Sequence, residues 1–136
     1  MSADVLRSAD AVLRFEDWGP GYLSQTDDAA FGVVVLRPGD EFANHLHEHH
    51  TESFVVIEGR AEFWIDRRKR VVLTVGDVLR AEPDEEHFVR KPFDGVFRAV
   101  FVKTPWVDGD KRDRPWTPDS PSLTGTTSTT IERTTP

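Results

Sequence analysis

The chain reads as a single all-β domain, a sandwich or barrel of short antiparallel strands. From residue 31 to 103 it consists of short runs rich in β-branched and aromatic residues, which suit a pleated, half-buried surface. Turn-forming residues separate these runs at the close intervals usual in sandwiches and barrels. No stretch carries convincing helical periodicity, and no segment repeats. A chain of 136 residues makes one domain, long enough to bury a core without staples.

Taken in order, residues 10–24 contribute one or two edge strands around AVLRFED. FGVVVLR (31–37) is the first strongly apolar strand, closed by Pro38-Gly39-Asp40. SFVVIEG (53–59) and AEFWID (61–66) follow, parted at Glu58-Gly59-Arg60. The basic run RRKR (67–70) reads as a solvated hairpin turn leading into VVLTV (71–75). DVLRAE (77–82) begins after Val75-Gly76-Asp77 and runs into EPDEE (82–86), an exposed acidic loop from which Glu85 or Glu86 can reach the mouth of the barrel. VFRAVFVK (96–103) is the last long strand. Trp106 and Trp116 then flank a charged segment and anchor it to the domain. From Thr117 the chain is dominated by Thr, Ser and Pro. Such a composition buries too little apolar surface to offset the entropy of ordering, so 1–116 is expected to be the domain and 117–136 a disordered tail.

Composition excludes several classes of function. Cysteine is absent, which removes disulfides, thiolate metal sites and cysteine nucleophiles. The net charge of -7 disfavours nucleic acid and anionic membrane as partners. No apolar run approaches membrane-spanning length, and MSADVLRSAD lacks a hydrophobic signal region, so a cytoplasmic location is expected.

The chemistry is concentrated in the histidines. The chain has five: His45, His47, His49 and His50 in HLHEHHTE, and His87 in EPDEEHF. The neutral imidazole nitrogen is the commonest side-chain ligand for a transition metal. His45 and His47 are two apart, so on a strand their rings share one face, about 6.5–7 Å apart along the backbone. Glu52 can add a carboxylate from the next strand and His87 a third imidazole. Three neutral imidazoles and one carboxylate leave a divalent ion with a charge of about +1 and, at octahedral coordination, about two open positions. His49 and His50 fall in the loop between the ligand-bearing strands and read as residues of the barrel mouth. Phe54, two residues past Glu52, points the same way and lines an apolar cavity or packs in the core. Asp94-Gly95 is a type I′ hairpin signal. The ladder it implies sets His87 opposite Val102 and Lys91 opposite Arg98, which brings Arg98 to the cavity rim as a clamp for a substrate carboxylate or phosphate. A one-residue shift flips Arg98 outward.

The segment GDEFANHLHEHHTESFVVIEG (39–59) resembles the first motif of the cupin superfamily, G-x5-H-x-H-x4-E-x6-G, at every defined position. GDVLRAEPDEEHFVRK (76–91) resembles the second motif, G-x5-P-x-G-x2-H-x3-N. It keeps Gly76 and His87 but carries Glu82, Asp84 and Lys91 in place of Pro, Gly and Asn. Asp tolerates a left-handed backbone better than most residues, so the turn at Asp84 is expected to survive. The resemblance implies an antiparallel double-stranded β-helix (a jelly-roll barrel) and a homodimer. It makes His45, His47, Glu52 and His87 the ligands of one divalent transition metal (Fe, Mn, Zn, Ni or Co). It also implies a metal-dependent enzyme acting on a small organic molecule by dioxygenase or isomerase/lyase chemistry, with Glu52 a candidate base. The alternative is a non-catalytic cupin that binds a small ligand through its metal.

Overall fold

Two five-stranded antiparallel sheets face each other in the computed structural model, which describes residues 3–120. In chain order the strands are β1 (Gly19–Gln25), β2 (Ala30–Leu36), β3 (Glu41–His47), β4 (Thr51–Glu58), β5 (Ala61–Ile65), β6 (Lys69–Leu73), β7 (Val78–Ala81), β8 (His87–Arg90), β9 (Phe97–Thr104) and β10 (Lys111–Asp113). One sheet runs β1-β2-β9-β4-β7 and the other β10-β3-β8-β5-β6. The chain alternates between them, the winding of a double-stranded β-helix. Among the described residues, no helix is long and apolar enough to cross a membrane.

The core follows from period-2 alternation. On β4, Glu52, Phe54 and Val56 are buried while Val55 and Ile57 are exposed. On β9, Phe97, Ala99 and Phe101 point inward. These pack with Leu36, Phe63 and Val89 into one apolar cluster between the sheets. Two glycines permit close approach of backbone. A Cβ on Gly32 would meet the Gly21 carbonyl oxygen at 2.0 Å, where β1 pairs with β2 next to a break in register. Gly59 has φ +69, and a Cβ there would meet the Val96 oxygen at 2.1 Å, so only glycine fits the tight link from β4 to β5.

Several expectations are corrected. Residues 10–24 do supply an edge strand, β1, but it begins at Gly19, and the AVLRFED segment itself is no strand. Glu16, at φ 70, reverses the chain, Arg14 N–H donates to Pro20 O (2.9 Å), and the segment folds back before β1 begins. Asp94-Gly95 makes no hairpin, because the chain crosses there from one sheet to the other. β8 pairs with β3 and β5, whereas β9 pairs with β2 and β4. His87 therefore lies opposite His45 and Ile65, and Arg98 opposite Val35 and Glu58. Arg98 is on the outer face, its Nε donating to Glu58 Oε1 at 2.8 Å, away from the cavity beside the histidines. The RRKR run is exposed and turns β5 into β6, as expected, with Arg67 also paired to Glu86 and Arg70 to Glu62. Glu86 is buried, engaged by Asn44 and Arg67 rather than reaching the mouth.

Asp84 has φ 67, and its N–H donates to His47 O at 2.7 Å, so the turn survives without glycine. Lys91 is fully buried, and its ammonium donates to Phe93 O (2.7 Å) and Asp94 O (2.8 Å), tying down the crossover loop. Trp106 packs on Tyr22, and Trp116 on Trp64 and Phe88, which anchors the segment after β9 as expected. Of the proposed tail, Thr117 and Ser120 close a turn and Asp119 pairs with Arg90. The remainder, 121–136, lies outside the described residues.

Candidate metal centre

His45 and His47 sit two apart on β3, and His87 begins β8 directly opposite His45. Glu52 comes from β4 in the facing sheet, so the cluster joins the two sheets at one end of the core. One nitrogen or oxygen from each of these four side chains lies within 4.8 Å of the others. The ring centroids of His45 and His87 are 4.3 Å apart, and those of His45 and His47 5.0 Å. Beneath them Phe54 packs edge-on against His87 (6.0 Å) and Phe63 (5.3 Å). Phe54 therefore forms a dry floor under the cluster and belongs to the core as well.

Backbone groups orient the rings. His45 Nδ1 lies 2.7 Å from Ala43 O and His87 Nδ1 3.2 Å from Glu85 O. A carbonyl only accepts, so each Nδ1 carries the hydrogen and each Nε2 is directed inward. Glu52 Oε1 is 2.9 Å from His47 Nε2 and 3.2 Å from His87 Nε2. Burial pushes the Glu52 carboxyl up, but the contacts with His47 and His87, and the Lys103 charge, outweigh it and hold the group well below the usual carboxylate range. Burial, then the neighbouring His87, pushes His45 down to about 2, so its imidazole stays neutral and available as a ligand. His47 is also lowered, chiefly by burial.

This arrangement fits a divalent cation. If His87 keeps its Nδ1 hydrogen on Glu85 O, its Nε2 can approach the Glu52 oxygen favourably only with an additional proton or with a cation between them. A metal ion satisfies the inward lone pairs and the carboxylate together, using neutral nitrogen and anionic oxygen donors suited to transition metals.

A cavity of about 270 Å³ opens beside the cluster, lined by His47, His50, Lys103, Tyr22 and Trp106 among others. Lys103 is opposite Glu52 in the β4–β9 ladder. His50 is buried under Trp106, ring planes 13° apart. Asp110, from the loop before β10, accepts the backbone N–H groups of His49 and His50 and also bonds the His49 ring, pinning the loop between β3 and β4. His49 thus faces outward at the mouth, and His50 lines the cavity. The importance of Lys103 was legible in principle: after Phe97, Ala99 and Phe101, period-2 alternation puts residue 103 on the inner face. Tyr22, Trp106 and Asp110 carried no such signal, because they reach the cavity from segments outside the ligand-bearing strands.

Fold and cluster together define a double-stranded β-helix with three imidazoles and one carboxylate gathered at one end. Residues 32–103 match the family described as Cupin domain, and the chain belongs to that family. Over 65 residues it is 36% identical to quercetin 2,3-dioxygenase of Bacillus subtilis (strain 168). That match covers 46% of this chain and only 19% of the relative's length. Among solved structures, it resembles an uncharacterized conserved protein with a double-stranded β-helix domain from Klebsiella pneumoniae subsp. pneumoniae MGH 78578. The TM-score is 0.72 at 24% identity, covering 82% of this chain and 97% of that one, a likeness of fold alone. A Cupin 2 conserved barrel domain protein from Salinispora arenicola CNS-205 aligns with TM-score 0.61 at 25% identity, over 76% of this chain and 88% of that one.

Proposed function

We propose that this protein is a metal-dependent cupin enzyme acting on a small organic molecule. His45, His47, Glu52 and His87 hold one divalent transition metal (Fe, Mn, Zn, Ni or Co). The observation that carries this reading is the convergence of their donor atoms within 4.8 Å, next to an open cavity. When bound, such an ion with open positions supplies Lewis-acid polarisation of a substrate oxygen or, as iron, dioxygen chemistry. The likeness to the dioxygenase supports the oxidative branch, and isomerase or lyase chemistry is the other. The chain's own residues orient and shield. Ala43 O and Glu85 O fix the imidazoles, and Phe54 excludes water from below. Glu52 is a weak base while two imidazoles share its oxygen, which favours the ligand role over proton transfer.

The test is elemental analysis of protein purified without added metal, followed by turnover of diketone, catechol and sugar panels. Dioxygen uptake with iron separates the oxidative branch from the isomerase or lyase branch. Metal with ligand binding but no turnover would leave the second reading, a non-catalytic small-ligand-binding cupin. Failure to take up any of the five metals would remove both.

The same reading makes the chain a cytoplasmic homodimer that binds neither nucleic acid nor membrane. The exposed apolar residues Val55, Ile57, Val75 and Val78, around edge strand β7, support pairing with a second copy. Sedimentation velocity should report a dimer at micromolar concentration, and a monomer there would end the proposal.

A further inference from the structure

The cavity beside the histidine cluster has a charge pattern that the four metal-ligand candidates do not explain. Lys103 Nζ is held among three aromatic rings, 5.2 Å from the centroid of Tyr22, 5.3 Å from Phe101 and 5.8 Å from Trp106. It donates to Tyr22 Oη at 2.8 Å. An ammonium has three N–H donors, and among the described residues no carboxylate lies within salt-bridge distance of this one. The cage fixes the charge in place and forms no ion pair with it.

Across the same cavity, His50 is 2% exposed, and neither of its ring nitrogens has a hydrogen-bond partner. Asp110 Oδ2 is 3.3 Å from His50 Nδ1, but the backbone N–H of His50 takes that oxygen at 2.9 Å. His47 Nδ1 is also buried and unpartnered. Buried polar atoms in native proteins almost always have partners, so these nitrogens point to something that occupies the cavity. Water alone would serve the imidazoles. An ammonium with no direct ion pair, only the field of Glu52 opposite it on β4, selects an anion.

We propose that this cavity binds the carboxylate of a small monoanionic substrate, with Lys103 as its counter-charge and the ring of His50 as a second hydrogen-bonding anchor. The inference rests on the enzyme reading above and names the substrate class of that site. The cavity lining also carries Arg14 and Lys111 against Asp108 and Asp110, two charges of each sign, so the caged Lys103 leaves one net positive charge, which matches a monoanion. The volume of about 270 Å³ lies at the lower edge of ordinary ligand pockets, which selects a compact molecule. The aromatic walls of Tyr22 and Trp106 suit a flat or short apolar body.

The test uses the full-length, metal-loaded chain in carboxylate-free buffer, with calorimetric titration of acetate, pyruvate and benzoate against acetamide, pyruvamide and benzamide. At least one carboxylate should bind about tenfold more tightly than its amide, and Lys103→Met should erase that preference. Lys103→Gln, which keeps a hydrogen-bonding side chain without the charge, repeats the comparison and decides the question if K103M does not fold. The inference is overturned if every carboxylate binds no better than its amide, if K103M keeps the preference, or if inorganic phosphate binds more tightly than all three acids. Metal content, measured separately, distinguishes the two readings. A chain that takes up no metal yet prefers carboxylate through Lys103 sinks the enzyme reading and keeps this subsite.

Discussion

Glu52 is the one carboxylate among the four proposed ligands, and its replacement is the sharpest single-residue experiment. Gln keeps the shape but loses the charge and one of the two acceptor oxygens. Glu52→Gln should lower metal affinity by about 100-fold or more, with the far-ultraviolet spectrum of the barrel unchanged. Dialysis against a chelator followed by elemental analysis checks this, and wild-type retention of metal would remove Glu52 from the ligand set. Lys91 offers a complementary test of the frame. Lys91→Ala leaves two loop carbonyls, Phe93 O and Asp94 O, without their donor. The expected loss is about 2 kcal/mol in urea unfolding, with metal content unaffected. These two residues also mark what was readable from the chain. The positions of His45, His47 and Glu52 followed from strand periodicity and motif spacing. Nothing local signalled that Lys91 is buried and fastens the crossover loop.

At the level of strands, most of the barrel was legible because alternating apolar residues declare a strand and its buried face without reference to partners. Pairing was not. Asp94-Gly95 has the composition of a two-residue hairpin, but the chain there passes between sheets, and only the long-range partners of β8 and β9 settle that. This is why Arg98 fell on the wrong face. The short β10 was missed because its three charged residues carry no apolar pattern, and its pairing with β3 is held largely by backbone. Gly59 is the clearest test of the tight links. Gly59→Ala meets both a left-handed φ and the Val96 oxygen, and should destabilise the fold by about 2–4 kcal/mol, measured by chemical denaturation. A loss below about 0.5 kcal/mol, the range of an ordinary surface change, would mean that the loop relaxes freely.

For the molecule as a whole, the polar groups around the cavity predict acid sensitivity. Burial, then the charges of His47 and Lys103, pushes His50 from 6.5 down to about 4. Burial pushes Asp110 up, but hydrogen bonds from the backbone of His50 and His49 outweigh it and bring it from 3.8 down to about 2. Below about pH 6.5 the unfolded chain takes a proton at His50 that the folded chain refuses, so stability falls as pH drops towards 4. Asp110 adds a second decline from 3.8 towards 2. The melting temperature of metal-free protein should therefore decrease steadily from pH 7 to pH 4. A flat profile would contradict the buried, neutral state of His50. In the loaded protein, burial keeps His45 and His47 from taking protons, so occupancy should hold to a pH well below the 6.5 of a free imidazole, and metal loss already at about pH 6 would contradict their buried, neutral state.

The family match ends at residue 103, yet Trp106 and Asp110 lie beyond it, and Tyr22 lies before it. The reactive corner is thus furnished by the matched barrel, while much of the doorway is cut from chain that flanks the matched segment. Exchanging those flanks between relatives should retune which molecules are admitted while the ligand-bearing strands stay as they are.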